Sequence, residues 1–212
     1  MSPFIRLLIL TAVVFASQTH AQTNQNMFYS TSGKWIKASN TNCVIWSSFP
    51  KDGESVSWSG SVVDGKGHGK GVVQWFTNHV PTTKYEGELK AGLSDGHGSA
   101  IGNGMSFEGD WLKGQLLSKA VTITYSDGNW YKGEFRDGLK DGFGEEMIQG
   151  GQKYVGQFKN DRFNGRGELT LQSGDKLAGD WKDSKLDGIG TYTTKTGNSF
   201  KVKMTNTGII RL

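Results

Sequence analysis

One frame of residues recurs along most of the chain and constrains its fold more than any other feature. A large apolar residue stands two places before an anchor glycine and another two places after it, and two further glycines follow the anchor by nine and eleven places. The stretch YKGEFRDGLKDGFG sets the frame with Tyr131, Gly133, Phe135, Gly142 and Gly144. The same offsets hold Trp58, Gly60, Val62, Gly69 and Gly71, then Tyr85, Gly87, Leu89, Gly96 and Gly98. They return as Tyr154, Gly156, Phe158, Gly165 and Gly167, and as Leu177, Gly179, Trp181, Gly188 and Gly190. One copy is worn: Phe107, Gly109 and Trp111 fit, but Ser118 and Ala120 replace the later glycines. A last trace keeps Phe200 and Met204 around Val202. From anchor to anchor the steps are 27, 22, 24, 23, 23 and 23 residues. A period of this length marks units too small to bury their own apolar faces, which therefore stack on their neighbours.

In an extended chain, residues two apart share a face, so Tyr131, Gly133 and Phe135 point one way and the intervening charges the other. The junctions between copies carry the turn pairs Asn103-Gly104, Asp127-Gly128, Gly150-Gly151, Ser173-Gly174 and Thr196-Gly197, which suit the positive φ angles of tight hairpins. A glycine within a strand costs about 0.5–1 kcal/mol relative to alanine. A large ring resting over a residue without Cβ in an adjoining hairpin recovers about 1.5–3 kcal/mol when fully buried. The expected fold is all-β, an elongated single-layer antiparallel sheet of about seven stacked β-hairpins, extending roughly 65 Å at ~4.8 Å per strand. The 31 glycines are consumed by these strands and turns and signal architecture rather than disorder.

The copies resemble the MORN repeat family, whose unit has about this length and reads Y-x-G-x-F/W followed by G-x-G, as in YKGEFRDGLKDGFG and YVGQFKNDRFNGRG. The resemblance runs from about Val56 to Met204. It implies a sheet with an aromatic-lined face and roles in protein assembly and in contact with phospholipid membranes. The candidate binding residues on that face are Trp58, Tyr85, Phe107, Trp111, Tyr131, Phe135, Tyr154, Phe158 and Trp181. The alternative is that the same rings are the core of the sheet.

Ahead of the repeats, Met1 to Arg6 is short and positive, Leu7 to Ala16 is apolar, and Ser17 to Ala21 ends in small residues. This is the order of a secretory signal. Residues 1–21 are expected to be removed near Ala21, leaving a secreted or periplasmic chain; an uncleaved anchor is the alternative, although the apolar run is short for a span. Residues 22–55 form an N-terminal segment. Asn42 to Gly60 resembles the opening segment of secreted bacterial MORN proteins and is expected to form a first strand pair that covers the open sheet edge, helped by Trp35, Ile36, Val44, Trp46 and Phe49. The array occupies 56–212, with a C-terminal cap from about 198 whose Lys201, Lys203 and Arg211 blunt an edge. Cys43 is the only cysteine, which leaves a small buried hydrophobe or a thiol for intermolecular bridging.

Formal net charge is +4, and basic and acidic residues alternate rather than forming a block, so attraction to anionic surfaces is permitted but not demanded. Nucleic acid is not an expected partner. No HExxH, C-x-x-C, G-x-S-x-G or EF-hand pattern occurs. DGKGHGKG at Asp64–Gly71 misses the phosphate-loop spacing, and His68 and His97 take inequivalent repeat positions, so neither a metal nor another cofactor is expected. Glu134, Asp137, Asp141, Glu145 and Glu146 could serve a glycoside hydrolase or simply be a solvated face. In the worn copy, Leu116, Leu117, Ala120, Val121 and Ile123 announce either local repacking or an exposed apolar patch that holds a partner. The function favoured is a non-enzymatic scaffold of the cell envelope or secreted space, binding a protein partner or its own copy through the aromatic-lined face. The alternatives are binding of phospholipid membrane or envelope polymer, and a hydrolase using surface carboxylates.

Overall fold

The computed structural model describes residues 33–117, 121–136, 138–148, 150–205 and 208–212. The expected signal peptide, the polar run up to residue 32, and Ser118 and Ala120 of the worn copy lie outside these residues. The described residues form two compact units, 33–138 and 139–212. Every regular element in them is a β-strand, as the repeat frame implies.

The N-terminal unit contains β1 (Lys34–Lys37), β2 (Val44–Ser47), β3 (Glu54–Trp58), β4 (Ser61–Val63), β5 (Lys66–Thr77), β6 (Val80–Lys90), β7 (Leu93–Gly102), β8 (Met105–Leu112), β9 (Gln115–Leu116), β10 (Val121–Tyr125) and β11 (Trp130–Arg136). From β5 to β8 each strand pairs antiparallel with the next, β3 and β4 both lie along β5, and β9 and β10 both lie along β8. The C-terminal unit is an uninterrupted antiparallel meander of β12 (Leu139–Ile148), β13 (Gln152–Lys159), β14 (Arg162–Thr170), β15 (Lys176–Lys182), β16 (Lys185–Thr193), β17 (Ser199–Thr205) and β18 (Gly208–Arg211).

Register explains the glycines. Gly71 pairs with Gly87, Gly87 with Gly98, and Gly98 with Gly109, so a row of bare Cα atoms crosses four successive strands. A second row joins Gly144, Gly156, Gly167 and Gly179. A Cβ on Gly156 would come within 2.5 Å of the Gly167 Cα, and one on Gly167 within 2.2 Å of the Tyr154 hydroxyl. The second row ends where Gly190 faces Val202, the position at which the last copy lacks its anchor.

Two sets of turns close the hairpins. The junctions seen in the sequence are turns: Gly128 N–H donates to the Tyr125 carbonyl, and Gly174 and Gly197 do the same to Leu171 and Thr194. The opposite ends are two-residue turns with positive φ at both positions: Asp64-Gly65, Ala91-Gly92, Lys113-Gly114, Asn160-Asp161 and Asp183-Ser184. We call these the hairpin tips. They are bonded from one copy to the next. Gly92 N–H donates to the Gly67 carbonyl, Gly114 to Ser94, Asp161 to Lys140 and Ser184 to Phe163, at 2.8–3.0 Å.

The first strand pair joins β1, which precedes the expected 42–60 segment, antiparallel to β2, and it lies against the tips rather than along the sheet edge. Val44 N–H donates to the Gly65 carbonyl at 2.9 Å and Trp46 N–H to that of Gly92 at 3.0 Å. The edge of β3 is met by the residues linking β1 to β2. Ser39 N–H donates to the Val56 carbonyl, while the Asn40 side-chain amide donates to the Trp58 carbonyl and accepts from its N–H. One amide side chain thus does the work of a strand residue. Cys43 is buried beside this link, with Ile45, Val56 and Trp58 in the same core cluster. It is therefore the small buried hydrophobe of the two sequence readings.

Of the apolar residues singled out in the worn copy, Val121 and Ile123 are fully buried in β10, Leu116 of β9 is partly buried and Leu117 is 42% exposed, as is Leu112 beside them at 47%; Ala120 lies outside the described residues. If the glycine row sets the fold, Gly167→Leu lowers stability by about 1–3 kcal/mol through overpacking. Gly151→Asn, in an open turn at positive φ, changes it by less than about 0.5 kcal/mol; urea unfolding midpoints of the two variants check the contrast.

Candidate binding surface

Eight of the nine rings singled out in the sequence are buried: Trp58, Tyr85, Phe107, Tyr131, Phe135, Tyr154, Phe158 and Trp181, none more than 3% exposed. Trp111 is partly buried and packs against the same core. They are the core of the sheet, so what they offer a partner is the surface they hold in place. Sequence reasoning puts each ring over glycines of an adjoining hairpin, but the geometry divides the task in two. Tyr85 lies over Gly87 and Gly98, Tyr154 over Gly156 and Gly167, and Trp58 over Gly60 and Gly71, each pair belonging to the ring's own hairpin. The weld between copies is made by the second large residue of the following frame. Trp111 meets Tyr85 edge-on at 5.5 Å and Trp181 meets Tyr154 at 5.6 Å. Each indole N–H also reaches back to a row-glycine carbonyl, Gly98 at 3.2 Å and Gly167 at 3.0 Å.

The polar end of each flat ring is used as well. The hydroxyls of Tyr85 and Tyr154 donate to the carbonyls of Glu88 and Gln157 at 3.1 Å, and Tyr131 donates likewise to Glu134. In the first copy the Trp58 indole donates to the Ser61 carbonyl at 2.8 Å, again three residues on. A buried phenol with its proton committed resists ionisation. Burial pushes Tyr85 up to about 12, and burial also raises Tyr154.

With the rings inside, the outer face carries charged pairs beside the exposed Ile101, Phe143 and Ile189. Lys84 pairs with Glu86 at 2.9 Å and Lys176 with Glu168 at 2.8 Å, and Lys153 pairs with Glu145. His97 stands between Asp110 (3.1 Å) and Glu108 (3.5 Å) on the facing strand, and its hydrogen bonds to Asp110 and then Glu108 raise it above its ordinary value of 6.5. Glu145 and Glu146 are on opposite faces, Glu146 is buried against Lys140, and Asp137 lies outside the described residues. No group of three or more His, Cys, Asp or Glu side chains suited to a metal is found among the described residues.

The repeat frame has a recorded counterpart. The profile of the MORN repeat matches residues 58–80, 85–103, 131–152, 154–176 and 178–199, together half of the chain. The chain belongs to the MORN repeat family. The matches omit 104–130, the worn MORN copy whose second strand is split. Among curated proteins the chain is similar to Alsin of Rattus norvegicus, 29% identical over 97 residues, and to Alsin of Homo sapiens, 28% identical over the same length. Each alignment covers 43% of this chain and 6% of the relative, so the chain matches a small fraction of Alsin's length.

Two titrations test the placement of these groups. A tyrosine whose folded-state value is raised contributes stability that is complete below the unfolded value of 10 and lost as pH rises through the folded value. Stability is therefore expected to fall between pH 10 and about 12, followed by tyrosinate absorbance alongside circular dichroism; full ionisation of every tyrosine at pH 10 in a folded chain contradicts the buried placement. For His97, an NMR titration is expected to give a midpoint above 6.5 that moves down in Asp110→Asn.

Proposed function

We propose that this MORN protein is a non-enzymatic binding module of the cell envelope or secreted space, holding a protein partner or a second copy of itself. The observation that carries this reading is the fixed register of the outer face. Glycine rows and tip-to-tip hydrogen bonds hold outward side chains in regular cross-strand rows, such as Glu145–Val155–Glu168–Ala178–Thr191–Lys201. A surface spaced in this way suits recognition of another macromolecule rather than enclosure of a small substrate. Work outside the cytoplasm is supported by the positive start and short apolar run of residues 1–21. The nine aromatic positions serve binding by keeping that surface in register.

Cross-linking mass spectrometry on whole cells, with a tagged full chain, tests the reading. The expected outcome is a defined set of links from outer-face lysines such as Lys153, Lys176 and Lys201 to one protein or to a second copy. Absence of protein links, together with flotation on anionic vesicles at low salt, overturns it in favour of membrane binding.

A further inference from the structure

We propose that the hairpin tips of the C-terminal unit form a basic ridge that docks an acidic, extended segment of a protein partner; this rests on the binding-module reading and names the partner's chemistry. Across one tip Lys159 is the direct cross-strand neighbour of Arg162, and across the next Lys182 is that of Lys185. All four are exposed. Like charges directly opposite one another destabilise a hairpin, and among the described residues only Arg162 of the four has an ion pair. At the corresponding places in the N-terminal unit the neighbours are Val63 with Lys66, Lys90 with Leu93 and Leu112 with Gln115. None of these is a like-charge pair. There, too, β2 bonds the tip glycines Gly65 and Gly92.

The tips themselves add to the asymmetry. Asp161 and Ser184, the second turn residues, are turned inward at 3% and 4% exposure and accept hydrogen bonds from the Lys140 and Phe163 N–H groups. Among the described residues of the C-terminal tips the one outward acid is Asp183, 3.3 Å from Arg162. Among the described residues Lys159, Lys182 and Lys185 have no ion pair. Asp180 and Asp187 face each other one step back from the tip, with Arg166 3.8 Å from Asp180, so the excess of positive charge is concentrated on the rim.

Spacing selects the occupant. Successive tips are two strands apart, roughly 10 Å. A chain in the polyproline II conformation repeats every three residues and rises about 3.1 Å per residue, so carboxylates at every third position fall on one side roughly 9 Å apart. The exposed apolar side chains of the unit, Phe143, Ile189, Ile210 and Leu212, are not on these tips, which leaves the ridge without an apolar group to enter a bilayer.

The test uses the full chain and two labelled synthetic peptides of equal charge and length in a serine background, one with Glu at every third position and one with the same Glu residues in a single block. Fluorescence anisotropy near physiological salt is measured for the wild type and two variants. One is Lys159→Gln/Arg162→Gln/Lys182→Gln/Lys185→Gln; the other removes four outer-face lysines away from the tips, Lys70→Gln/Lys84→Gln/Lys132→Gln/Lys176→Gln. The expected result is tighter binding of the spaced peptide, weakened about tenfold or more by the tip variant and less than about twofold by the control. Thermal unfolding of the tip variant is expected at or above the wild-type midpoint, since its opposed like charges are gone.

Equal losses in both variants, no peptide binding by the wild type, or a preference for the blocked peptide overturns the proposal. So does binding of anionic vesicles that depends on the tips when neither peptide binds. Cellular protein cross-links that survive in the tip variant would sink the ridge while leaving the binding-module reading intact.

Discussion

The structure depends on close backbone approach at the crossing points of a cross-strand row. Where Gly156 faces Gly167 there is no room for a Cβ, because the Tyr154 ring and the opposing Cα occupy the space. The ring can lie flat only there, and only from that position can its hydroxyl reach a carbonyl three residues on. Burial of the ring and satisfaction of its phenol are thus won together, which offsets the backbone entropy that each glycine loses. Because the next copy's tryptophan packs on that ring and bonds the row, order in one hairpin promotes order in the next.

A single position, seven places after the anchor, decides how each copy closes over its ring. In the C-terminal unit it is Phe163 or Leu186. Phe163 stacks on Tyr154 at 3.7 Å with the planes 7° apart, and Leu186 fills the space over Gly179 and Gly190. In the first two copies the position is small, Gly67 and Ser94, and at Gly67 the space is taken in part from outside the repeats. A Cβ on Gly67 would lie 2.5 Å from the Ile45 side chain of β2. The opening strand pair therefore docks where the repeats leave a seat for it. Gly92 makes the same point, since a side chain there would strike Trp35 and the Val44 carbonyl.

The same position in the copy anchored at Gly133 is Lys140, buried with Glu146, which stands where the following copy has Leu169. Asp161 is buried beside them and accepts from the Lys140 N–H; burial raises its carboxyl toward the neutral form. Two apolar positions have become an ion pair, an exchange that stabilises little and leaves a costly buried charge when only one partner is removed. At the far end, Val202 occupies the row, and Phe200 cannot lie over a glycine as its counterparts do. It stacks instead on Tyr192 at 5.2 Å, with the Arg211 guanidinium 4.3 Å from its ring. In this last segment Arg211 thus meets a ring stack.

Period, strand faces, junction turns and the glycine row were legible from spacing alone, because a two-residue repeat on a strand admits no other assignment of faces. The tips were not. Ala91, Lys113, Asp161 and Ser184 give weak signals for positive φ, and their conformation is held by hydrogen bonds to the preceding copy, which no local pattern encodes. The ring positions could be read from the frame, but whether they face a partner or one another depends on how adjoining copies curl over them. Only packing settles that, and it sealed them inside. The residues left to meet a partner, among them Lys159, Arg162, Lys182 and Lys185, looked in the chain like ordinary solvated charge. Pairing across the turn brought like charges face to face, because register, and not proximity in sequence, sets which side chains are neighbours in a sheet.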